Sequence, residues 1–176
     1  RRFLVGWSAR RAAVDALFAS REPAAIHALL EALANGHQRR RILARFAELQ
    51  PAQDQATIDL LWQHWGAHRD AALEQLLVAR RWPCAARELA LLRQLKLGDH
   101  DALAAVQPTV AVVHELLGRL RDPDPEVGPE ALAWLRAMPD VEALNDPLYE
   151  AWLEQPSADL QALLEQPRHA CRLVLE

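Results

Sequence analysis

One apolar spacing recurs along the chain and restricts its fold more than any other feature. In four stretches, side chains stand at positions i, i+3, i+4 and i+7, which places them on one face of an α-helix. The four sets are Ile26, Leu29, Leu30 and Leu33; Ile58, Leu61, Trp62 and Trp65; Val113, Leu116, Leu117 and Leu120; and, more weakly, Leu148, Ala151, Trp152 and Gln155. A period of about 30 to 45 residues with two helices in each repeat is typical of an α-solenoid. We therefore predict an all-α fold, an α-solenoid of stacked antiparallel helix pairs, in which Leu30, Trp62 and Leu117 occupy equivalent buried positions.

The composition agrees with a helical, globular chain. Hydrophobic residues make up 51% and charged residues 25% of the sequence, a balance that excludes intrinsic disorder. Alanine and leucine dominate and only six residues are glycine, so helix is favoured over strand. No apolar run approaches the roughly 18 residues that a membrane-spanning helix needs. We therefore expect no membrane as a partner.

Capping residues and prolines predict where the helices begin. Short polar side chains that accept hydrogen bonds from first-turn N–H groups favour helix starts at Ser8, Asp54, Asp70, Thr109 and Ser157. Pro83 is expected to open a helix of its own, because proline suits the first helical position. Pro129 predicts either a kink or a helix start near Val127.

A stretch of the second half resembles a known repeat family. Residues 120–135, LRDPDPEVGPEALAWL, end one helix, place an Asp-Pro turn and start the next helix. In this pattern the stretch resembles the short bacterial type of HEAT repeat, and residues 97–103, LGDHDAL, resemble the turn that opens another such helix. The matching positions are Asp122, Pro123, Asp124, Pro125, Glu126, Val127, Ala131 and Leu132. Gly128 and Pro129 depart from the family, which has helix-favouring residues there. The resemblance implies a superhelical scaffold and no particular reaction.

The ends of the chain and its cysteines bear on domain and compartment. We expect residues 1–176 to form a single helical-repeat domain and to be a fragment of a longer chain, because no polar capping repeat is evident. Cys84 and Cys171 lie far apart and neither belongs to a CxxC pair, which gives a zinc site no support. Free thiols in a reducing compartment are the default interpretation, so a cytoplasmic location is expected. A disulfide between the two cysteines stays open.

Charge is distributed unevenly along the chain. Residues 1–98 hold 15 basic and 9 acidic side chains, whereas residues 99–176 hold 5 and 15. The densest basic run is Arg39, Arg40, Arg41 and Arg45, on a helix predicted over residues 37–49. Arg41 and Arg45 lie one turn apart and off the apolar face. We interpret the run either as a solvated helix face or as a candidate site for an acidic protein surface or for phosphate.

Trp134 is a second candidate binding residue. Three of the six tryptophans, Trp62, Trp65 and Trp152, take leucine positions in the repeats, so core packing explains them, and Trp7 is placed to pack on the first turn of its helix. Trp82 and Trp134 are not explained in this way. Trp134 instead lies beside the stripe formed by Leu132, Leu135 and Met138. An amphipathic aromatic side chain at the edge of a groove is a common anchor for a protein partner. Packing between repeats is the alternative role for this side chain.

The sequence contains no arrangement that predicts catalysis or a cofactor. There is no glycine-rich phosphate loop and no nucleophile elbow, and paired acids such as Asp122 and Asp124 have the spacing of helix caps. His64 and His68 have the i, i+4 spacing of helical metal ligands, but no third ligand is indicated. We therefore expect no metal and no cofactor. A non-enzymatic role is favoured, although an active site assembled from distant helices stays open.

Two functions remain as hypotheses. The first is a scaffold that binds another protein or connects the domains of a larger protein. The second is a nucleic-acid-binding module that resembles the HEAT-like alkylpurine DNA glycosylases, which hold DNA in a basic concave groove and place Trp and Asp residues at the lesion. The acidic balance of residues 99–176 argues against a continuous track for phosphates. No Trp has an Asp one helical turn later, so the resemblance assigns no catalytic residue.

Overall fold

The computed structural model describes residues 2–138 and 145–165, and every regular element in these ranges is helical. The helices are α1 (Arg2–Ser20), α2 (Pro23–Ala34), α3 (Arg39–Phe46), α4 (Pro51–His68), α5 (Ala71–Arg80), α6 (Arg87–Leu97), α7 (His100–Ala104), α8 (Val110–Arg119), α9 (Val127–Ala137), α10 (Asn145–Glu154) and α11 (Ala158–Leu164). The all-α prediction is confirmed for this part of the chain. None of its helices combines the length and apolar composition that crossing a membrane requires.

Several helices begin where the caps predict. The Asp70 carboxylate accepts hydrogen bonds from the N–H groups of Ala72 and Leu73, both at 2.9 Å. The hydroxyls of Thr109 and Ser157 accept from first-turn N–H groups of α8 and α11 in the same way. Each of these bonds satisfies a donor that the helix itself leaves unpaired. The predicted start near Val127 is also confirmed, because α9 begins there.

The predicted helix starts at Ser8 and Pro83 were wrong, whereas the one at Asp54 coincides with a kink at which two helical segments join. Ser8 lies inside α1 and not at its beginning. Asp54 leaves helical geometry inside α4, which begins at Pro51, and its carboxylate accepts a hydrogen bond from the Gln50 N–H at 2.9 Å. The Asp54 side chain therefore accepts a hydrogen bond from the backbone at the start of α4, although Asp54 itself lies one helical turn after that start. Pro83 does not open a helix, since α6 begins only at Arg87.

Contacts divide the chain into two compact units, residues 1–93 and residues 94–176, and the division falls inside α6. In the first unit, α1 contacts α3, and α3 contacts α5. Helix α2 contacts α4, and the consecutive pairs α1–α2 and α4–α5 also pack together. Helices α1, α3 and α5 therefore form one row of this unit, and α2 and α4 form the other. The expectation of one domain over residues 1–176 stays a prediction.

The first two repeated sets form the core of the first unit. Their eight side chains are at most 1% exposed. Trp62 and Trp65 pack edge to face with ring centroids 5.7 Å apart, a favoured geometry for aromatic pairs. The Trp65 indole N–H donates to the Glu74 carboxylate of α5 at 3.2 Å. Leu30 and Trp62 thus occupy buried positions, as the repeat alignment predicts.

In the described part of the second unit, two helix pairs follow the end of α6 and the short helix α7. Helix α8 packs on α9, and α10 packs on α11. The pairs meet through contacts of α8 with α10 and of α9 with α11. Val113 and Leu116 are fully buried in α8, but Leu117 is only half-buried. The prediction that Leu117 is buried like Leu30 was therefore wrong for the described part of the chain, because the described helices leave that side of α8 partly exposed.

A buried ion pair fixes the turn that leads into α9. The Lys96 ammonium lies 2.8 Å from Asp124 Oδ2, and both side chains are almost fully buried. The same ammonium lies 2.7 Å from Glu126 Oε2, whose side chain is largely exposed. Asp124 Oδ1 also accepts the Glu126 N–H at 3.0 Å, so the carboxylate is paired on both oxygens. The end of α6 is thereby tied to the segment before α9.

Substitution of two glycines of the α8–α9 pair by alanine is expected to change the free energy of unfolding in opposite directions. A Cβ atom at Gly128 would lie 3.0 Å from the backbone oxygen of Leu120, whereas one at Gly118 would meet nothing within 4 Å. We expect Gly128→Ala to lower the free energy of unfolding by about 1 to 3 kcal/mol, as overpacking does. Gly118→Ala should raise it by up to about 1 kcal/mol, because alanine favours helix. Urea unfolding tests both, and a gain at Gly128 or a loss at Gly118 would contradict this account.

Candidate functional site

The arginines predicted to bind a partner lie on α3, and two of them share one internal carboxylate. Arg45 Nε donates to Asp15 Oδ1 of α1 at 2.9 Å, and Arg41 Nε donates to the same oxygen at 3.2 Å. Arg41 Nη2 pairs with the other oxygen, and Arg45 also pairs with Glu48 at 2.9 Å. The hydrogen bonds from Arg41 and Arg45 hold the pKa of Asp15 below its ordinary value. The two guanidinium groups therefore link α3 to α1.

The remaining two arginines of the run differ from each other. Arg39 Nη2 lies 2.8 Å from Asp70 Oδ1, so it pairs with the carboxylate that caps α5. Arg40 is exposed and has no ion pair with a described residue. Three of the four predicted cations are thus already neutralised within the first unit. All four retain partly or fully exposed side chains, but the surface is less cationic than the sequence alone indicates.

Trp134 forms one wall of a groove in the second unit but offers little exposed surface. It lies on α9 and is only 8% exposed. The groove has a volume of about 460 Å³, and Leu103, Val106 and Met138 line it beside the tryptophan. The burial of Trp134 fits the packing role that the sequence left open.

A larger cleft in the second unit was not found by sequence reasoning. It has a volume of about 710 Å³ and lies among α8, the start of α9, α10 and α11. Leucines at its base are Leu117, Leu120, Leu132 and Leu160. Leu117 and Leu120 belong to the third repeated set, so the half of that set that the described residues leave partly exposed lines this cleft.

The rim of the cleft is acidic. Glu150 and Glu154 of α10 and Asp159 of α11 line it, and all three are exposed. Arg121 is the one arginine among the lining residues of the described chain. Glu150 and Glu154 have no hydrogen bond or ion pair with a described residue, whereas Asp159 lies 3.5 Å from Arg136. The cleft thus combines a leucine floor with unpaired carboxylates.

The histidine pair that has metal-ligand spacing lies at the end of α4. The ring centroids of His64 and His68 are 4.4 Å apart. In residues 2–138 and 145–165, no group of three or more His, Cys, Asp or Glu side chains is placed to hold a metal ion. Burial lowers the pKa of His64, positive charge on His68 and His27 lowers it further, and Asp70 opposes the shift. His64 is therefore better described as a partly buried imidazole whose protonation is disfavoured than as a metal ligand.

The lowered pKa of His64 predicts a loss of stability in acid. The folded protein binds fewer protons than the unfolded chain below the ordinary pKa of 6.5, so stability is complete above that pH and falls below it. We therefore expect the melting temperature to decline as the pH falls below the ordinary pKa of 6.5. His64→Gln should make the decline shallower, and His37→Gln, at an exposed turn, should not. Equal slopes for both variants would remove His64 as the cause.

Cys84 does not have the properties of a nucleophile. Its thiol is free and half-buried, and burial together with the nearby Asp59 carboxylate raises its pKa to about 12. The thiolate, which is the reactive form, is therefore scarce at neutral pH. Cys171 lies outside the described residues, so a disulfide between the two cysteines stays untested.

Comparison with known proteins gives no relative. No protein-family model, no curated protein and no solved structure matches this chain.

Proposed function

We propose that this chain is a non-enzymatic, HEAT-like α-solenoid scaffold that binds another protein through the cleft of its second unit. The observation that carries the proposal is the open cleft with its leucine floor and acidic rim. An exposed apolar surface framed by polar side chains is typical of a site for a macromolecular partner. Binding of a protein partner explains such a surface without the assumption that the chain catalyses a reaction.

The solenoid arrangement is supported by the order of helix contacts in each unit. Alternate helices of the first unit pack on one another, with α1, α3 and α5 in one row and α2 and α4 in the other. In the second unit α8 packs on α10 while α9 packs on α11. Stacked helix pairs bring successive first helices together and successive second helices together. This order favours a repeat stack over a bundle around one central axis.

A protein is favoured over nucleic acid because of the charges at the two candidate surfaces. The carboxylates around the cleft, among them Glu150 and Glu154, would repel phosphates. On α3, Arg39, Arg41 and Arg45 are paired with internal carboxylates, which reduces the charge available to a phosphate backbone. An acidic partner that bound at α3 would therefore interact mainly with Arg40.

Capture of partners by two cleft variants tests the proposal. Gly118 lines the cleft, is exposed and has open space around its Cβ position, so Gly118→Arg adds bulk and charge to the cleft without a clash at the Cβ atom. Gly118→Ala is the matched control, because it makes the same change of backbone propensity. We expect the wild type and the alanine variant to capture the same proteins from a lysate, and the arginine variant to lose them.

A separate measurement addresses the nucleic-acid alternative. Binding of duplex DNA at two salt concentrations would weaken steeply with salt if phosphates were contacted. We expect no binding at either concentration. Tight, salt-sensitive DNA binding together with identical protein capture by both variants would overturn the proposed function.

A further inference from the structure

We infer that the cleft of the second unit is a docking groove for one amphipathic, cationic helix of the partner protein. This inference rests on the proposed function and names the chemistry of the partner. It follows from two independent observations, the uncovered half of a repeated apolar set and the unpaired charges that flank it.

The apolar floor consists of positions that are covered elsewhere in the same fold. Leu30 and Leu33 in α2 are fully buried, and Trp62 and Trp65 at the same repeat positions in α4 are at most 1% exposed. The corresponding Leu117 in α8 and Leu120 directly after it are only half-buried and line the cleft. The same set of side chains is thus fully covered in the first unit and only partly covered by the described residues of the second.

The first unit also shows what completes such a face. Helix α2 is covered by helices, because α1, α3 and α4 all contact it. A helix presents leucine-sized side chains at i, i+3, i+4 and i+7, which interdigitate with the same pattern on a neighbouring helix. An added helix is therefore the occupant whose shape matches the exposed half of α8. This is the groove-binding mode that amphipathic peptide helices use in general.

The charges around the floor determine the sign of the partner. Glu150 and Glu154 are four residues apart on α10 and therefore lie on one face, one turn apart. Like charges at this spacing destabilise a helix slightly, and no described side chain forms an ion pair with either glutamate. Asp159 adds a third carboxylate at the rim. Arginine or lysine side chains at i and i+4 on the partner helix would match the spacing of the two glutamates.

A synthetic peptide provides the probe. It has about 18 residues, or roughly five helical turns, with leucines at i, i+3, i+4 and i+7 and arginines flanking them. A second peptide carries glutamate in place of every arginine and keeps the leucines. Fluorescence anisotropy measures the affinity of both peptides for the full chain and for Gly118→Arg, Gly118→Ala and the double variant Glu150→Gln/Glu154→Gln.

We expect the arginine peptide to bind the wild type, and to bind Gly118→Ala, which adds a single methyl group to the cleft lining, more tightly than it binds Gly118→Arg. Gly118→Arg should weaken binding by about tenfold or more. The glutamine double variant should weaken it by about fivefold and should flatten its dependence on salt. Circular dichroism of each variant confirms that the loss does not come from unfolding.

Three outcomes overturn the inference. The first is equal affinity for the arginine and the glutamate peptide, since the rim would then select nothing. The second is undiminished binding by Gly118→Arg. The third is self-association of the wild type that Gly118→Arg abolishes, which would assign the cleft to a second copy of this chain. If the peptide fails but Gly118→Arg still removes captured proteins, the proposed function stands and only the helix chemistry is wrong.

Discussion

Lys96→Met is expected to lower the free energy of unfolding of the second unit by about 3 to 5 kcal/mol. The lysine ammonium lies 2.8 Å from Asp124 Oδ2, and the side chains of the two residues are 3% and 4% exposed. Methionine keeps most of the aliphatic stem but removes the charge. The substitution therefore leaves a buried carboxylate without its counter-charge, which costs far more than the intact pair contributes.

The ionisation of Asp124 supports this expectation. Burial alone would raise its pKa, but the hydrogen bonds from Lys96 and from the N–H groups of Glu126 and Val127 together hold it below 3.8. The carboxylate therefore stabilises the fold above that pH, and the contribution is lost as the pH falls through its folded pKa. The deficit of Lys96→Met should accordingly shrink in acid, where Asp124 carries no charge.

Hydrogen exchange with mass spectrometry measures the loss in α8 and α9 separately from the first unit. The control is the double variant Lys96→Met/Asp124→Asn. Asparagine retains an oxygen that can accept the Glu126 N–H but carries no charge, so most of the lost stability should return. A double variant as unstable as the single one would show that packing of the lysine stem, and not its charge, is responsible.

The features that could be predicted from sequence are those that depend on near neighbours along the chain. The spacing of Ile26, Leu29, Leu30 and Leu33 predicts both the helix and its buried face, because one turn of helix brings these residues together whatever surrounds them. The caps at Asp70 and Ser157 are local in the same sense, since each side chain bonds to N–H groups two or three residues away. The predicted helix start at Ser8 was wrong because α1 begins before this residue and includes it.

The ion pairs that join separate elements of the fold could not be predicted, because their partners are distant in sequence. Arg41 and Arg45 find Asp15 across the α1–α3 contact, and the sequence shows only that they lie off the apolar face of their own helix. Lys96 and Asp124 are likewise joined only by folding. One signal was available in the second case, since Lys96 is the only lysine in a chain that otherwise uses arginine.

The cleft escaped sequence reasoning for a related reason. Leu30 and Leu117 have the same local pattern, and nothing within either repeated set distinguishes them. Their difference in burial depends on which helices cover α2 and α8. Coverage is a property of the whole arrangement, so a repeat alignment predicts which side chains share a face but not whether that face is completed.

Leu116→Ala is expected to lower the free energy of unfolding of the second unit by about 2 to 5 kcal/mol, and Leu117→Ala by no more than about half as much. The two residues are neighbours in α8, so both substitutions remove the same atoms and gain the same helix propensity. Leu116 is fully buried, and its truncation leaves a cavity as well as lost apolar contact. Leu117 is half-buried at the cleft, so part of its side chain already faces solvent and its truncation opens no enclosed void.

The same two variants separate folding from binding. Leu117→Ala should weaken the binding of the arginine peptide, because it removes part of the apolar surface that the peptide covers. Leu116→Ala should leave the affinity of the folded protein for the peptide unchanged. Hydrogen exchange gives the stabilities and anisotropy gives the affinities. Equal losses of stability would mean that Leu117 is covered in solution, and the cleft would then be closed to any partner. If Leu117→Ala keeps most of its stability but binds the arginine peptide more weakly, the side chain of Leu117 lies in an open, apolar groove.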